Sequence, residues 1–290
     1  MKCYTYKTVA GCDVRADVHR APGDGARPVI VWIHGGALIG GHRGNLCDWQ
    51  RDFYLSAGYT VVSIDYRLAP ETKLAGIIED LRDAFRWVAE EGPRLFDAAP
   101  GMVATVGHSA GGYLALMAGF CVHPRPRAIV SFYGYGDIAG AWYSGPDPYY
   151  SRLPPVPREE AYAAVGGSVI SAVEGASNRG RYYLYLRQNG LWCSEVVGHD
   201  PKTEPEAFAP FCPLQHVKGD YPPTLLLHGD QDADVPCEQS VMMAEALAAA
   251  GVEHELVTVA GAGHGFDLRD NAQNRAVLAR AVKFLTAHVR

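Results

Sequence analysis

A serine stands among small residues at 107–111, Gly107-His108-Ser109-Ala110-Gly111. Histidine-bearing glycine stretches lie on either side of it in the chain, at 34–38 (HGGAL) and at 261–266 (GAGHGF). A serine hydroxyl becomes a useful nucleophile once a neighbouring base removes its proton, and an imidazole does this near neutral pH. A carboxylate that fixes the imidazole tautomer completes the set. Acyl transfer with Ser109 as nucleophile is therefore the chemistry these residue types allow.

Of the eleven histidines, His264 is the expected base, because it follows the last predicted strand in a loop whose glycines leave room for the ring. His108 adjoins the serine but lies on the wrong side of the turn to reach it. His228 precedes a turn and reads as structural, and His199, His216 and His254 read as surface or packing residues. The acid comes from 228–236, HGDQDADVP, where Asp230, Asp232 and Asp234 alternate. A calcium loop would need glycine at its sixth position and glutamate at its twelfth, and Val235 and Val241 stand there instead. Spacing alone leaves the three aspartates equivalent.

These side chains need a scaffold. G-x-S-x-G falls between an apolar strand at 102–106 and an Ala/Leu/Met-rich helix at 110–120, the context in which a strained turn pushes the serine out above a sheet. The helix that follows directs unpaired N–H groups and partial positive charge at the site, which makes the Ala110 N–H a natural oxyanion donor. The run 28–34 (PVIVWIH) reads as a strand buried on both faces. It ends at Gly35-Gly36, where backbone N–H groups can approach a scissile carbonyl.

Strand and helix alternate along most of the chain. Strands are expected at 60–64, 128–133, 224–227 and 255–259, helices at 46–57, 74–91, 237–250 and 274–289, and an opening hairpin at 4–9 and 13–19. Such alternation predicts an α/β fold, a doubly wound and mostly parallel sheet with functional loops at the carboxyl ends of its strands. Residues 134–220, rich in Gly, Pro and Tyr, break the rhythm and read as a cap inserted into one domain spanning 1–290. Trp142, Tyr143, Tyr149, Tyr150, Tyr182, Tyr183, Tyr185 and Trp192 either form the core of that cap or line a pocket. Arg181 and Arg187 read as solvated surface charges, with the holding of a substrate carboxylate as the alternative.

Composition narrows the function classes. Over 290 residues, 48% are hydrophobic, 20% are charged and the net charge is −6, which suits a globular enzyme and offers no basic patch for nucleic acid. The amino-terminal stretch lacks a signal-like apolar core, and the longest apolar run, 113–122, is too short to span a bilayer. A cytoplasmic address is the expectation. Seven cysteines without C-x-x-C spacing suit free thiols and no zinc site. No cofactor or metal is expected, the partner is a small-molecule ester substrate, and a homodimer is left open.

Taken together, HGGAL at 34–38, DYRLAPE at 65–71, GHSAGG at 107–112, HGDQDADVP at 228–236 and GAGHGF at 261–266 resemble the α/β-hydrolase esterase and lipase superfamily. The nearest likeness is to its hormone-sensitive-lipase-like and bacterial carboxylesterase branches. The resemblance implies the α/β-hydrolase fold and cleavage of carboxylic esters, short-chain acyl in the first instance, through an acyl-enzyme. It also implies the acid: the fifth position of H-G-x-x-D-x-x-V-P falls on Asp232. It places the oxyanion hole on Gly35, Gly36 and Ala110, and makes Asp65, Tyr66, Arg67 and Glu71 a structural brace. Two positions depart from the pattern, Ala37 for the third glycine and His108 before the serine. A small peptidase or amidase of the prolyl-oligopeptidase-like type, and a non-catalytic ligand-binding scaffold, are the alternatives.

Overall fold

The computed structural model describes residues 1–173 and 178–290. Strands β1 (Lys2–Val9) and β2 (Cys12–His19) form the expected hairpin. They are followed in the chain by β3 (Arg27–Ile33), β4 (Thr60–Ile64), β5 (Ala98–His108), β6 (Ile129–Phe132), β7 (Thr224–Gly229) and β8 (His254–Val259). All lie in one eight-stranded sheet of order β1-β2-β4-β3-β5-β6-β7-β8. The pairs β1/β2 and β2/β4 are antiparallel and the others parallel. This is the α/β-hydrolase fold.

The sheet is buried because helices cover both faces, and strand geometry explains how one apolar run serves two layers. Successive side chains point to opposite faces. Val29, Val31 and Ile33 of β3 accordingly join a core with α2 (Leu74–Phe96), α3 (Ala110–Cys121) and α8 (Glu238–Ala249). Ile30 and Trp32 join the opposite core, with α1 (Asp48–Ser56) and α9 (Ala272–Val289). The helix expected over 74–91 runs on to Phe96 through Pro93, because Gly92 and Phe96 are still buried and Asp97 supplies the left-handed turn that ends it. Among the described residues no helix is long and apolar enough to cross a membrane.

The chain leaves β6 at Phe132 and re-enters beside it at Thr224. The excursion between them holds α4 (Ala141–Ser144), α5 (Arg158–Tyr162), α6 (Arg179–Asn189) and α7 (Trp192–Val197). Tyr143, Tyr182 and Trp192 are buried in it, and they belong to the same apolar cluster as α2 and α3. Its aromatic residues are thus mostly packing, as Tyr143 and Trp192 show by stacking with ring centroids 3.8 Å apart. Tyr149 is exposed.

Candidate active site

Ser109 sits between β5 and α3 with φ +56° and ψ −120°, a conformation that L-residues adopt only when their surroundings enforce it. The Ser109 N–H donates to the Phe132 carbonyl at 2.9 Å, and the Ser109 carbonyl accepts from the Tyr113 N–H at 2.9 Å. The turn also needs glycine at two places. A Cβ on Gly107 would lie 2.0 Å from the Gly111 carbonyl oxygen, and one on Gly111 would lie 2.0 Å from that of Ile33. The elbow can form only where backbone packs directly on backbone.

His264, in the loop after β8, brings Nε2 to 2.9 Å from Ser109 Oγ and Nδ1 to 2.7 Å from Asp232 Oδ2. Asp232 leaves β7 in a turn of its own making, since its Oδ1 accepts from the N–H groups of Asp234 and Val235, both at 2.9 Å. A carboxylate at Nδ1 implies a proton there, so the Nε2 lone pair faces the serine. The neighbouring aspartates do other things. Asp230 ties two loops together by accepting from the Gly261 N–H at 2.7 Å. Asp234 has its Oδ1 on Tyr183 and Arg187.

Electrostatics favour a carboxylate beside a basic imidazole. Burial works against the charged form of Asp232, but hydrogen bonds from His228 and His264 and the Val235 N–H outweigh it and hold the carboxyl below the usual range. Burial also opposes the charged form of His264. The hydrogen bond to Asp232 and the charges of Asp234, Asp232 and Asp267 overcome it and raise the imidazole above its ordinary value. His228 is a scaffold: its Nε2–H donates to the Val235 carbonyl at 2.9 Å, since a carbonyl only accepts, and its Nδ1 accepts from the Ser240 hydroxyl at 2.7 Å. His108 points away from the serine, with Nε2 3.0 Å from Asp267 Oδ2.

Gly35, Gly36 and Ala37 line the same cavity as Ser109 and His264, a space of about 480 Å³. Ala110 is buried as the first residue of α3, where a helix leaves its N–H groups without intrahelical partners. Ala37 and Leu38 both have positive φ, +55° and +62°, so this loop too is strained and must be held. The Trp192 indole N–H donates to the Ala37 carbonyl at 3.0 Å, and the Ala69 N–H to the Leu38 carbonyl at 2.8 Å. The Arg179 guanidinium reaches the Ile39 and Ala69 carbonyls and the Glu71 carboxylate. Tyr66 stacks on His34 and donates its hydroxyl to the His34 carbonyl at 3.0 Å. Residues 66–71 therefore support the loop from the side, whereas Asp65 is engaged by Arg43 at 2.6 Å and Arg67 by Asp80 at 2.7 Å.

Trp192→Phe keeps an aromatic ring there and removes the donor that, among the described residues, meets the Ala37 carbonyl, at a cost of about 1–3 kcal/mol for an unpaired buried carbonyl. We expect a lower melting temperature and, in an ester assay, a fall in kcat with KM nearly constant. Unchanged kcat in a folded variant would show that the loop holds its shape without this bond.

One expectation is corrected. Arg187 is not a solvated surface charge: it is 1% exposed, with its guanidinium on Asp147 at 2.5 Å and on Asp234 at 2.7 Å. Those carboxylates lie 40 and 47 residues away in sequence, so nothing local to α6 reveals them. The i,i+4 spacing of Tyr183 and Arg187, which puts both on one helix face, was the available signal. Arg181 does lie at the surface, paired with Glu160. Asp234 and Tyr183 line the cavity, a position that neither the spacing nor the resemblance implies for Asp234.

Comparison with known proteins agrees with this architecture. The family model BD-FAE matches residues 17–141, and that of the prolyl oligopeptidase family matches residues 169–290. Curated relatives include the non-reducing polyketide synthases ausA and prhL of Penicillium brasilianum. Each is 30% identical to this chain, over 96% and 91% of it, but the chain spans only 14% and 13% of their length. Among solved structures, a protein of unknown function from Staphylococcus aureus superposes with a TM-score of 0.82 at 23% identity, over the whole of both chains. An α/β-hydrolase superfamily protein from Enterococcus faecalis gives 0.76 at 21%, over 95% of this chain and 96% of its own. An esterase from Thermogutta terrifontis with bound propionate gives 0.69 at 23%, over 99% and 93%. The two family models fall on successive parts of one sheet whose strand order and elbow are those described above, and the chain, with its α/β-hydrolase fold, is similar to esterase- and lipase-like proteins of that fold.

Proposed function

We propose that this protein hydrolyses carboxylic esters of short-chain acids through a Ser109-His264-Asp232 triad. The observation that carries the reading is the unbroken hydrogen-bond chain from Ser109 Oγ through His264 to Asp232, at 2.9 and 2.7 Å, opening on the cavity. As Ser109 Oγ attacks the acyl carbon, His264 Nε2 takes its proton and Asp232 steadies the imidazolium. The oxyanion is met by the Ala110 N–H and by N–H groups of the Gly35-Gly36 loop, each donor being worth roughly 2.7–4 kcal/mol. The ester C–O bond then breaks and the alcohol departs with the proton from His264. Water repeats the sequence on the acyl-enzyme and frees the acid. No cofactor enters these steps.

The cavity, about 480 Å³, suits a small ester, and propionate and butyrate are the acids bound in the Thermogutta terrifontis esterase structures. The excursion between β6 and β7 serves as the cap, since α6 supplies Tyr183 to the cavity wall. The free cysteines, three of them buried, favour a reducing, cytoplasmic setting. The prolyl oligopeptidase match over 169–290 supports a second reading, amide hydrolysis. Side-by-side assay of p-nitrophenyl butyrate and alanine p-nitroanilide separates the two. We expect ester hydrolysis to dominate, with paraoxon abolishing it and its phosphoryl group found on Ser109 by peptide mass spectrometry. Activity that survives paraoxon, or a label elsewhere, would overturn the proposal.

The pH profile follows from His264. The base must be neutral to take the proton, and its pKa is raised above 6.5. Activity should therefore be full well above that value and fall as pH drops through it. A kcat/KM profile with its acid-limb midpoint above 6.5 is the expected result, and one with its midpoint near 5 would contradict the assignment of His264.

A further inference from the structure

One carboxylate faces the reacting imidazole without being its orienting partner. Asp234 Oδ1 is occupied by the Tyr183 hydroxyl at 2.6 Å and by Arg187 at 2.7 Å, while Oδ2 lies 3.6 Å from His264 Nε2. That is beyond hydrogen-bond range, and Nε2 is the atom that returns a proton to the departing oxygen. Asp234 thus borders the place where the alcohol part of an ester leaves. Its charge is only half met: Arg187 is shared with Asp147 at 2.5 Å, so two carboxylates surround one guanidinium and a negative charge is left over on the cavity side. Arg179, which does line the cavity, is engaged with Glu71 at 2.5 Å.

The surrounding wall is aromatic. Tyr183 and Tyr133 line the cavity, and the Tyr133 ring centroid is 4.6 Å from that of His264. A carboxylate next to aromatic faces attracts an ammonium group by charge and by ring quadrupole, and disfavours an anion in the same space. Resting on the ester-hydrolase reading, we propose that Asp234 is a specificity-determining residue and that the preferred substrates are esters whose alcohol moiety carries a positively charged ammonium group.

The test uses two esters of one shape. Butyrylcholine and 3,3-dimethylbutyl butyrate differ in having a quaternary nitrogen or a carbon at the same place, and p-nitrophenyl butyrate reports on hydrolysis itself. For the wild-type protein at low salt we expect kcat/KM for the cationic ester to exceed that of the neutral one by about tenfold or more. The ratio should shrink as salt screens the charge, and should fall towards one in Asp234→Asn, where the amide oxygen can still accept from Tyr183 and Arg187. Because each ratio is taken within one protein, partial loss of folded material cancels. A wild-type ratio at or below one overturns the inference, as does a ratio that Asp234→Asn leaves unchanged. Cleavage of p-nitrophenyl butyrate with neither test ester accepted overturns it as well. If p-nitrophenyl butyrate itself is not cleaved, the ester-hydrolase reading has failed along with it.

Discussion

Asparagine at position 232 is expected to lower kcat for ester hydrolysis by about four orders of magnitude while leaving KM little changed. The turn around this residue makes the loss hard to evade. Asp232 Oδ1 accepts two backbone N–H groups, from Asp234 and Val235 at 2.9 Å, so an asparagine would keep its oxygen there and turn its NH2 towards His264 Nδ1. The imidazole would then have to accept at Nδ1 and carry its proton on Nε2, the nitrogen 2.9 Å from Ser109 Oγ, where it can no longer act as base. Ser109→Ala removes the nucleophile itself and should cost at least as much. Asp230→Asn serves as the control: Asp230 accepts from the Gly261 N–H at 2.7 Å, which an amide oxygen can also do, and its kcat should stay within a few-fold of wild type. Steady-state kinetics on the three variants decide between the aspartates. Four orders lost at 230 and little lost at 232 would reverse the assignment.

Gly111→Ala is the second large effect, and it falls on stability. The added Cβ would lie 2.0 Å from the Ile33 carbonyl oxygen and 2.6 Å from that of His34. Neither can move alone, since Ile33 is paired to both neighbouring strands and the His34 carbonyl is held by the Tyr66 hydroxyl. A clash with fixed backbone belongs to the most damaging class of point changes, at 4 kcal/mol or about that much, or roughly 10 °C in melting temperature for a chain of this size. Gly180→Ala, in α6 with nothing within 4 Å of the new methyl, should be neutral or slightly stabilising by comparison. Thermal unfolding of both variants checks the contrast. Equal melting temperatures would mean that the elbow is looser than its packing indicates.

Most of the sheet was legible because its signals are local. A strand buried on both faces must be a continuous apolar run, and 28–34 and 60–64 are such runs, so β3 and β4 lie where the pattern puts them. The helix end was less legible. Gly92-Pro93 reads as a stop, yet α2 continues to Phe96, because the burial that extends it comes from residues distant in the chain. The same division runs through the site. Ser109 was legible because a strained turn needs small neighbours within two residues. The aromatic residues of the excursion were legible as aromatic, but whether each packs or faces the cavity was not.

From the sequence alone came the α/β alternation, the elbow that exposes Ser109 and the glycine-flanked His264. Each depends on backbone sterics and side-chain chemistry that act over a few residues. Spacing left three alternating aspartates equivalent and the family resemblance singled out Asp232; the tertiary structure brings that one to His264, an outcome that rests on loops after β7 and β8 converging across 32 residues of chain. It alone buried Arg187 between Asp147 and Asp234 and turned Asp234 towards the cavity. A carboxylate's partner is set by where distant segments come to lie, and for Asp230, Asp232 and Asp234, alike in type and spacing, the local sequence carries no term that tells them apart.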